Sequence, residues 1–312
     1  MHLINIEHRT TYTYPQSVVL KPHRLLLRPR DGFDLRIRSS TLTIEPKSNI
    51  HWARDIFGNS ITIATFTERT DRLDILSSVV VEQYRDTTLD ITAMPELDQG
   101  LEQDNKDPSA PLAPYTIRSA PMIEGAHWSK CERISSRPDD AFRLLSGFCK
   151  VLREHIHYSP RNEPGVQSPI ETAQCKSGCC RDIAWLFIQA TRQAGFASRF
   201  VSGYLVDDQS ETNEPSNPGA THAWAETYLP SYGWLGFDPT LGRPVGPKHI
   251  AVAVADRPDS ICPVSGAFIG PIGTTSNMTV TVKCTQADTP RAPKTSNLRH
   301  TQNLETFGAT TH

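Results

Sequence analysis

Gly178-Cys179-Cys180-Arg181-Asp182-Ile183-Ala184-Trp185-Leu186-Phe187-Ile188-Gln189-Ala190, closed a few residues later by Gly195, is the stretch whose reading decides the fold. Its apolar members cover most of the circumference of a helix, so the helix expected from about Gly178 to Ala194 is central and buried. Gly195 takes the left-handed position that ends it. Upstream, Pro138-Asp139 starts another helix, with Ala141, Leu144, Leu145, Phe148, Val151 and Leu152 at the three- and four-residue spacings of a buried face. Between the two helices, Ser159 to Ser177 reads as a turn-rich connection. Downstream come three strand-like runs, Ser198 to Val206, Thr221 to Leu229 and Trp234 to Asp238. A buried helix beside antiparallel strands makes this half α+β.

From Leu3 to about Tyr84 the chain is different. Short stretches rich in Val, Ile, Thr and aromatics are separated by turn clusters such as Arg30-Asp31-Gly32, Pro46-Lys47-Ser48-Asn49 and Phe57-Gly58-Asn59. The alternation in Leu35-Arg36-Ile37-Arg38 suits a sheet with one wet face, so residues 1–91 are expected to form a β-sandwich-like domain. A length of 312 residues fits two domains. The Asp-, Glu-, Pro- and Ser-rich segment 92–126 reads as the linker, 127–286 as the catalytic core with its carboxy-terminal strands, and the polar tail 287–312 as disordered.

Thirty-two basic and 34 acidic residues leave a formal charge of -2, which gives no field to gather nucleic acid or anionic lipid. The opening Met1 to Pro15 carries Glu7, His8 and Arg9 where an export signal would be apolar, and no run reaches membrane-spanning length. The expected location is the cytoplasm. Seven cysteines are an odd number, and they are scattered along a long chain, so free thiols are expected rather than a disulfide framework.

Cys180 heads the buried helix, where unpaired backbone N–H groups and the positive end of the dipole favour a thiolate. Gly178 lets a substrate carbonyl approach the first amides of that helix. His222 opens the second strand-like run and Asp238 closes the third, with the turn Pro230-Ser231-Tyr232-Gly233 between them, so antiparallel pairing brings imidazole and carboxylate together. Thiol chemistry on an acyl group needs that order: the imidazole takes the thiol proton and returns it to the leaving amine, and the carboxylate fixes the tautomer. Each residue also has a plainer reading: Cys180 as a buried thiol, His222 as a structural histidine, Asp238-Pro239 as a turn. Cys175, Cys179, Cys180 and His222 could supply four soft ligands to zinc, but adjacent cysteines on a helix diverge by about 100°, which argues against it.

Four ordered blocks then carry a resemblance: Gly178-Cys179-Cys180-Arg181-Asp182 with Ala184-Trp185-Leu186; Ser198-Arg199-Phe200-Val201-Ser202-Gly203-Tyr204-Leu205; His222-Ala223-Trp224-Ala225-Glu226; and Gly233-Trp234-Leu235-Gly236-Phe237-Asp238-Pro239-Thr240. Together they resemble the core of the bacterial transglutaminase-like family. The resemblance extends to Arg161-Asn162-Glu163-Pro164-Gly165-Val166-Gln167 and to His249-Ile250-Ala251-Val252-Ala253, and the first 85 residues are similar to the β-rich domain that precedes this core in bacterial members.

The resemblance implies a papain-like core and a catalytic triad of Cys180, His222 and Asp238, the nucleophile being the third residue of its block. Cys179 departs from the usual small or aliphatic residue and brings a second thiol beside the first. The implied reaction is attack on a peptide or protein amide to give a thioester, with no cofactor and no metal; the Cys180 backbone N–H is one expected oxyanion donor. Water as acceptor gives a cysteine protease or amidase; an amine gives a protein-glutamine gamma-glutamyltransferase. Hydrolysis is the expectation, because Asp207 to Ala220 is polar and Pro-containing rather than a hydrophobic lid. The rival from another class is a non-catalytic module that keeps the fold and binds peptides.

Overall fold

The computed structural model describes residues 1–85, 110–118, 138–161, 163, 165–206, 221–230 and 232–287. The expected linker is described only over 110–118, where Ala110–Tyr115 form a 3-10 helix. The rest of it, the loop 207–220 and the tail beyond Ala287, whose disorder was expected, lie outside the described residues.

The amino-terminal strands are β1 (His2–Leu20), β2 (His23–Leu25), β3 (Leu35–Glu45), β4 (Ser48–Arg54), β5 (Ser60–Phe66) and β6 (Arg69–Gln83). Then follow α1 (Pro138–His155), β7 (His157–Tyr158), α2 (Pro169–Cys175), β8 (Ser177–Gly178), α3 (Cys180–Gln193), β9 (Ser198–Leu205), β10 (Thr221–Leu229), β11 (Gly233–Asp238), β12 (Arg243–Pro244) and β13 (His249–Ala255). Three strands end the described chain: β14 (Val264–Ser265), β15 (Phe268–Ile269) and β16 (Asn277–Ala287).

Two antiparallel sheets make the amino-terminal half, one with β1 between β6 and the pair β15/β16 and with β3 beyond β6, the other ordered β14-β2-β5-β4. Period-two burial follows the side-chain alternation: Ile4, Ile6, His8 and Thr10 point inward on β1, and Leu73, Ile75, Val79 and Val81 on β6. Tyr14, Val18, Leu20, Leu25, Leu27, Leu73 and Ile75 form the apolar filling between the sheets. The other ends of β1 and β6 contribute Ile4, Ile6, Val79 and Val81 to the core of the second half. The last strands, grouped with the catalytic core on sequence grounds, take their hydrogen bonds here instead: β16 runs along β1 from Ala287 opposite Leu3 to Asn277 opposite Thr13, and β14 pairs with β2.

The second half is a five-stranded antiparallel sheet, β12-β11-β10-β9-β13, with α3 packed on β9 and β10. As expected, α3 is buried nearly all round, from Cys180 to Arg192. Phe142 and Phe148 of α1, Phe187 of α3 and Phe237 of β11 stack in a chain with centroids 5.3 to 5.9 Å apart, which ties both helices to the sheet. Gly195, at φ +93°, ends α3 as expected. The supposed turn-rich connection contains α2, capped by the Ser168 hydroxyl, which accepts from the Glu171 N–H. Seven residues are too few to show a helical stripe among Pro and Gly signals, which is why periodicity did not reveal it. No helix among the described residues is long and apolar enough to cross a membrane.

Specific polar bonds join the halves. Asn59, fully buried, donates to the Val254 C=O and accepts the Val254 N–H at 2.8 and 2.9 Å. His8 on β1, 1% exposed, bonds the Tyr204 hydroxyl on β9 at 3.1 Å and the Thr10 hydroxyl at 3.0 Å. Burial lowers the His8 pKa from 6.5 to about 4. Above pH 6.5 both folded and unfolded chains leave this ring neutral; between 6.5 and about 4 the unfolded chain binds the proton and the folded one does not, so stability falls as pH falls. In urea unfolding, the stability advantage of the wild type over His8→Gln should therefore shrink by roughly 3 kcal/mol from pH 7 to pH 4. Parallel pH curves for the two proteins would show that His8 does not carry this dependence.

Candidate active site

The site begins with the anchoring of the α3 start. The chain leaves the parallel pair β7/β8, in which Tyr158 faces Gly178, and turns at once into the helix. A Cβ on Gly178 would lie 2.8 Å from the Asp182 Cβ, so only glycine fits there. Asp182, fully buried, accepts the N–H groups of Cys179 at 2.9 Å and Gln167 at 2.7 Å, and the Arg161 guanidinium grips both its oxygens at 2.9 and 3.0 Å. The first turn of α3 is thus pinned to the loop before α2.

Cys180 occupies the first helical position, 9% exposed, with the unpaired N–H groups of the first turn beside it. Cys179 at the N-cap is buried, and burial, then the neighbouring Cys180, push its thiol up so that it keeps its proton. Cys149, buried on α1, is raised by burial and then by Asp238.

His222 lies near the start of β10, paired with Gly203 of β9. The β10–β11 ladder sets Ala225 opposite Phe237, so its continuation carries Asp238 to the level of Trp224, two residues from His222. The His222 Nε2 donates to the Asp238 Oδ2 at 2.7 Å. That commits Nε2 and leaves Nδ1 as the ring nitrogen available to Cys180, which lies near enough to raise the proton affinity of the imidazole. The structure therefore brings together all three residues singled out in the sequence.

A fourth residue joins them that sequence reasoning placed only inside a resembling block. His249, at the head of β13 and 5% exposed, donates from Nε2 to the same Asp238 Oδ2 at 2.9 Å. The other oxygen, Oδ1, accepts the N–H groups of Thr240 at 2.9 Å and Leu241 at 3.1 Å. The signal available in sequence was a lone histidine at the head of the apolar run Ile250-Ala251-Val252-Ala253; a polar group there needs a partner once buried.

Burial by itself would raise the Asp238 carboxyl, but the His222 charge and the bonds from His222 and His249 outweigh it and hold the group ionised, below the usual carboxylate range. Burial by itself would lower His222; Asp238, and after it Cys180, reverse this and raise the imidazole above its ordinary 6.5. His249 moves the other way: burial keeps it neutral despite its bond to Asp238. Two imidazoles on one carboxylate therefore have opposite charge preferences.

His222, Asp238 and His249 present metal-type ligand atoms within 4.8 Å of one another. Both Nε2 atoms already direct protons at Oδ2, and His249 Nδ1 accepts the Gly246 N–H at 3.2 Å, so hydrogen bonds fill the space a cation would need. The cysteine set considered for zinc does not converge: Cys175 is exposed, whereas Cys179 and Cys180 are buried.

Residues 4–82 match the bacterial transglutaminase-like N-terminal region and residues 129–239 the transglutaminase-like superfamily. The chain belongs to the transglutaminase-like superfamily, with the bacterial amino-terminal region ahead of the core. An uncharacterized protein of Mycobacterium tuberculosis is 28% identical over 262 residues, 80% of this chain and 82% of its own length. One of Mycobacterium leprae is 22% identical over 277 residues, 86% of this chain and 94% of its own. A crystal structure of a candidate cysteine protease from Cytophaga hutchinsonii superposes with a TM-score of 0.65 at 17% identity, over 94% of this chain and 93% of that one, and shows the same fold.

Proposed function

We propose that this chain is a thiol-dependent acyl-transfer enzyme that attacks an amide or peptide carbonyl, with Cys180 as nucleophile, His222 as acid and base, and Asp238 as the carboxylate that orients the imidazole. The observation that carries the reading is the 2.7 Å bond from His222 Nε2 to Asp238, which leaves Nδ1 for Cys180, a residue close enough to act on the charge of the ring. In the resting pair the Sγ proton sits on Nδ1, as a thiolate beside an imidazolium; in the reaction the thiolate adds to the carbonyl carbon, and the oxyanion meets the N–H groups at the start of α3. Collapse breaks the C–N bond, the amine leaves with the proton from Nδ1, and a thioester remains on Cys180. Water, activated by the same nitrogen, then releases the acid. The expected partners are peptides or proteins, and no step asks for a cofactor.

Hydrolysis is proposed ahead of cross-linking. Water at about 55 M competes for every thioester unless the site excludes it, and the residues from Asp207 to Ala220 are too polar in composition to form an apolar lid. The test is to incubate the protein with a glutamine- and amide-containing peptide library and millimolar dansyl-cadaverine. Intact-mass and peptide mapping locate the acyl adduct, and mass analysis separates acid from amide products. The expected result is an adduct on Cys180 and mostly acid. Mostly amine conjugate would make the protein a transglutaminase; an unmodified Cys180 with no product would leave a peptide-binding module.

A further inference from the structure

The Asp238 carboxylate is shared, and the second imidazole on it is the feature that the proposed reaction does not use. His249 has a fixed tautomer. The Gly246 N–H can only donate, so the Nδ1 it meets at 3.2 Å must accept and Nε2 must carry the ring proton that reaches Asp238 Oδ2. Its ring is also wedged edge-on against Trp224, with centroids 5.2 Å apart, and its side chain is 1% exposed. It cannot turn away from the carboxylate without losing both contacts.

We propose that His249 is a positioning residue: a permanently neutral imidazole that holds Asp238 in place and withdraws part of its basicity, which limits how firmly His222 keeps its proton. The inference rests on the Cys-His-Asp reading above. Oδ2 has to divide its charge between two Nε2–H donors, and each added donor makes a carboxylate a weaker partner for the other. A His222 cation held too tightly could not return its proton to the leaving amine. The titratable and charged groups around this cluster are Cys180 at the start of α3, His222 on β10, Asp238 at the end of β11, Arg243 on β12 and Cys149 on α1. Arg243 and His222 both act to keep His249 neutral.

The test compares His249→Phe, which keeps a ring against Trp224 but has no N–H, with His249→Gln, whose amide can reach Oδ2. In His249→Phe, kcat/KM should fall about tenfold, the size of one hydrogen bond to a charged group, and the alkaline limb of the pH profile should move up by roughly one unit. His249→Gln should restore most of the rate and return the limb. An equal loss in both variants with the limb unmoved would reduce His249 to packing and overturn the inference. Nitrogen-15 NMR of the wild-type rings decides the same point without turnover. The His249 signal should stay that of a neutral Nε2–H ring while His222 titrates, and a proton on Nδ1 would also overturn it. If Cys180→Ser keeps full turnover, the catalytic reading fails instead, and the NMR result still stands alone.

Discussion

Replacing Asp238 by Asn should lower kcat by about a hundredfold or more, toward the ten-thousandfold loss that a wrong tautomer can cause. The hydrogen bonds force this result. Oδ1 accepts two backbone N–H groups, from Thr240 and Leu241, so the amide oxygen of an asparagine must take that place. Its NH2 then faces His222 Nε2 and His249 Nε2, both of which now direct a proton at the same spot. For His222 the relief is to move its proton to Nδ1, which is the nitrogen that must receive the proton of Cys180. His249 has no such relief, because its Nδ1 already accepts from Gly246. One unmatched donor pair remains, so a loss of about 1–3 kcal/mol in stability accompanies the loss of turnover. Steady-state kinetics with a thermal melt check both, and unchanged kcat would remove Asp238 from the mechanism.

The second large effect is on stability. Asp182→Ala should destabilise the protein by about 3 kcal/mol, the lower end for breaking a buried pair, since Arg161 is 17% exposed and has Glu163 3.5 Å away. The melting temperature should drop by roughly 5 °C. Arg161 would lose its bidentate partner, and the N–H groups of Gln167 and Cys179 would lose their acceptor. Removing both charges in Arg161→Met with Asp182→Leu should cost less than Asp182→Ala, because no uncompensated charge is left. If urea unfolding finds the single variant within 0.5 kcal/mol of wild type, the range of an ordinary surface change, the pinning of α3 by Asp182 is wrong.

What could be read in the sequence and what could not have separate physical causes. The buried α3 was legible because Ile183 to Ala190 leave no polar face, and the β10–β11 pairing because a four-residue turn sits between two strand-like runs. Cys180, His222 and Asp238 were legible for a related reason: each marks the end of an element, and element ends follow from local pattern. His249 was not, because its meaning depends on β13 pairing with β9, which brings it within reach of a carboxylate eleven positions away on another strand. Asp182 and Arg161 were seen only as letters in resembling blocks, since their bond spans a helix and a short strand that periodicity did not reveal. The partners of β14 to β16 were hidden in the same way: a strand's pattern states its alternation but not its neighbour.

The pairing of β16 with β1 has a consequence in time. Leu3 waits for Ala287, and Thr13 for Asn277, so the first strand to leave the ribosome is completed by the last described one. At the usual pace of synthesis that interval is on the order of tens of seconds. Throughout it, β1 can pair with β6 on one side, while its other side presents eleven residues of unpaired backbone. The alternating polar side chains there, Asn5, Glu7 and Arg9, are exposed, and the charges of Glu7 and Arg9 discourage a stray strand from docking before β16 arrives.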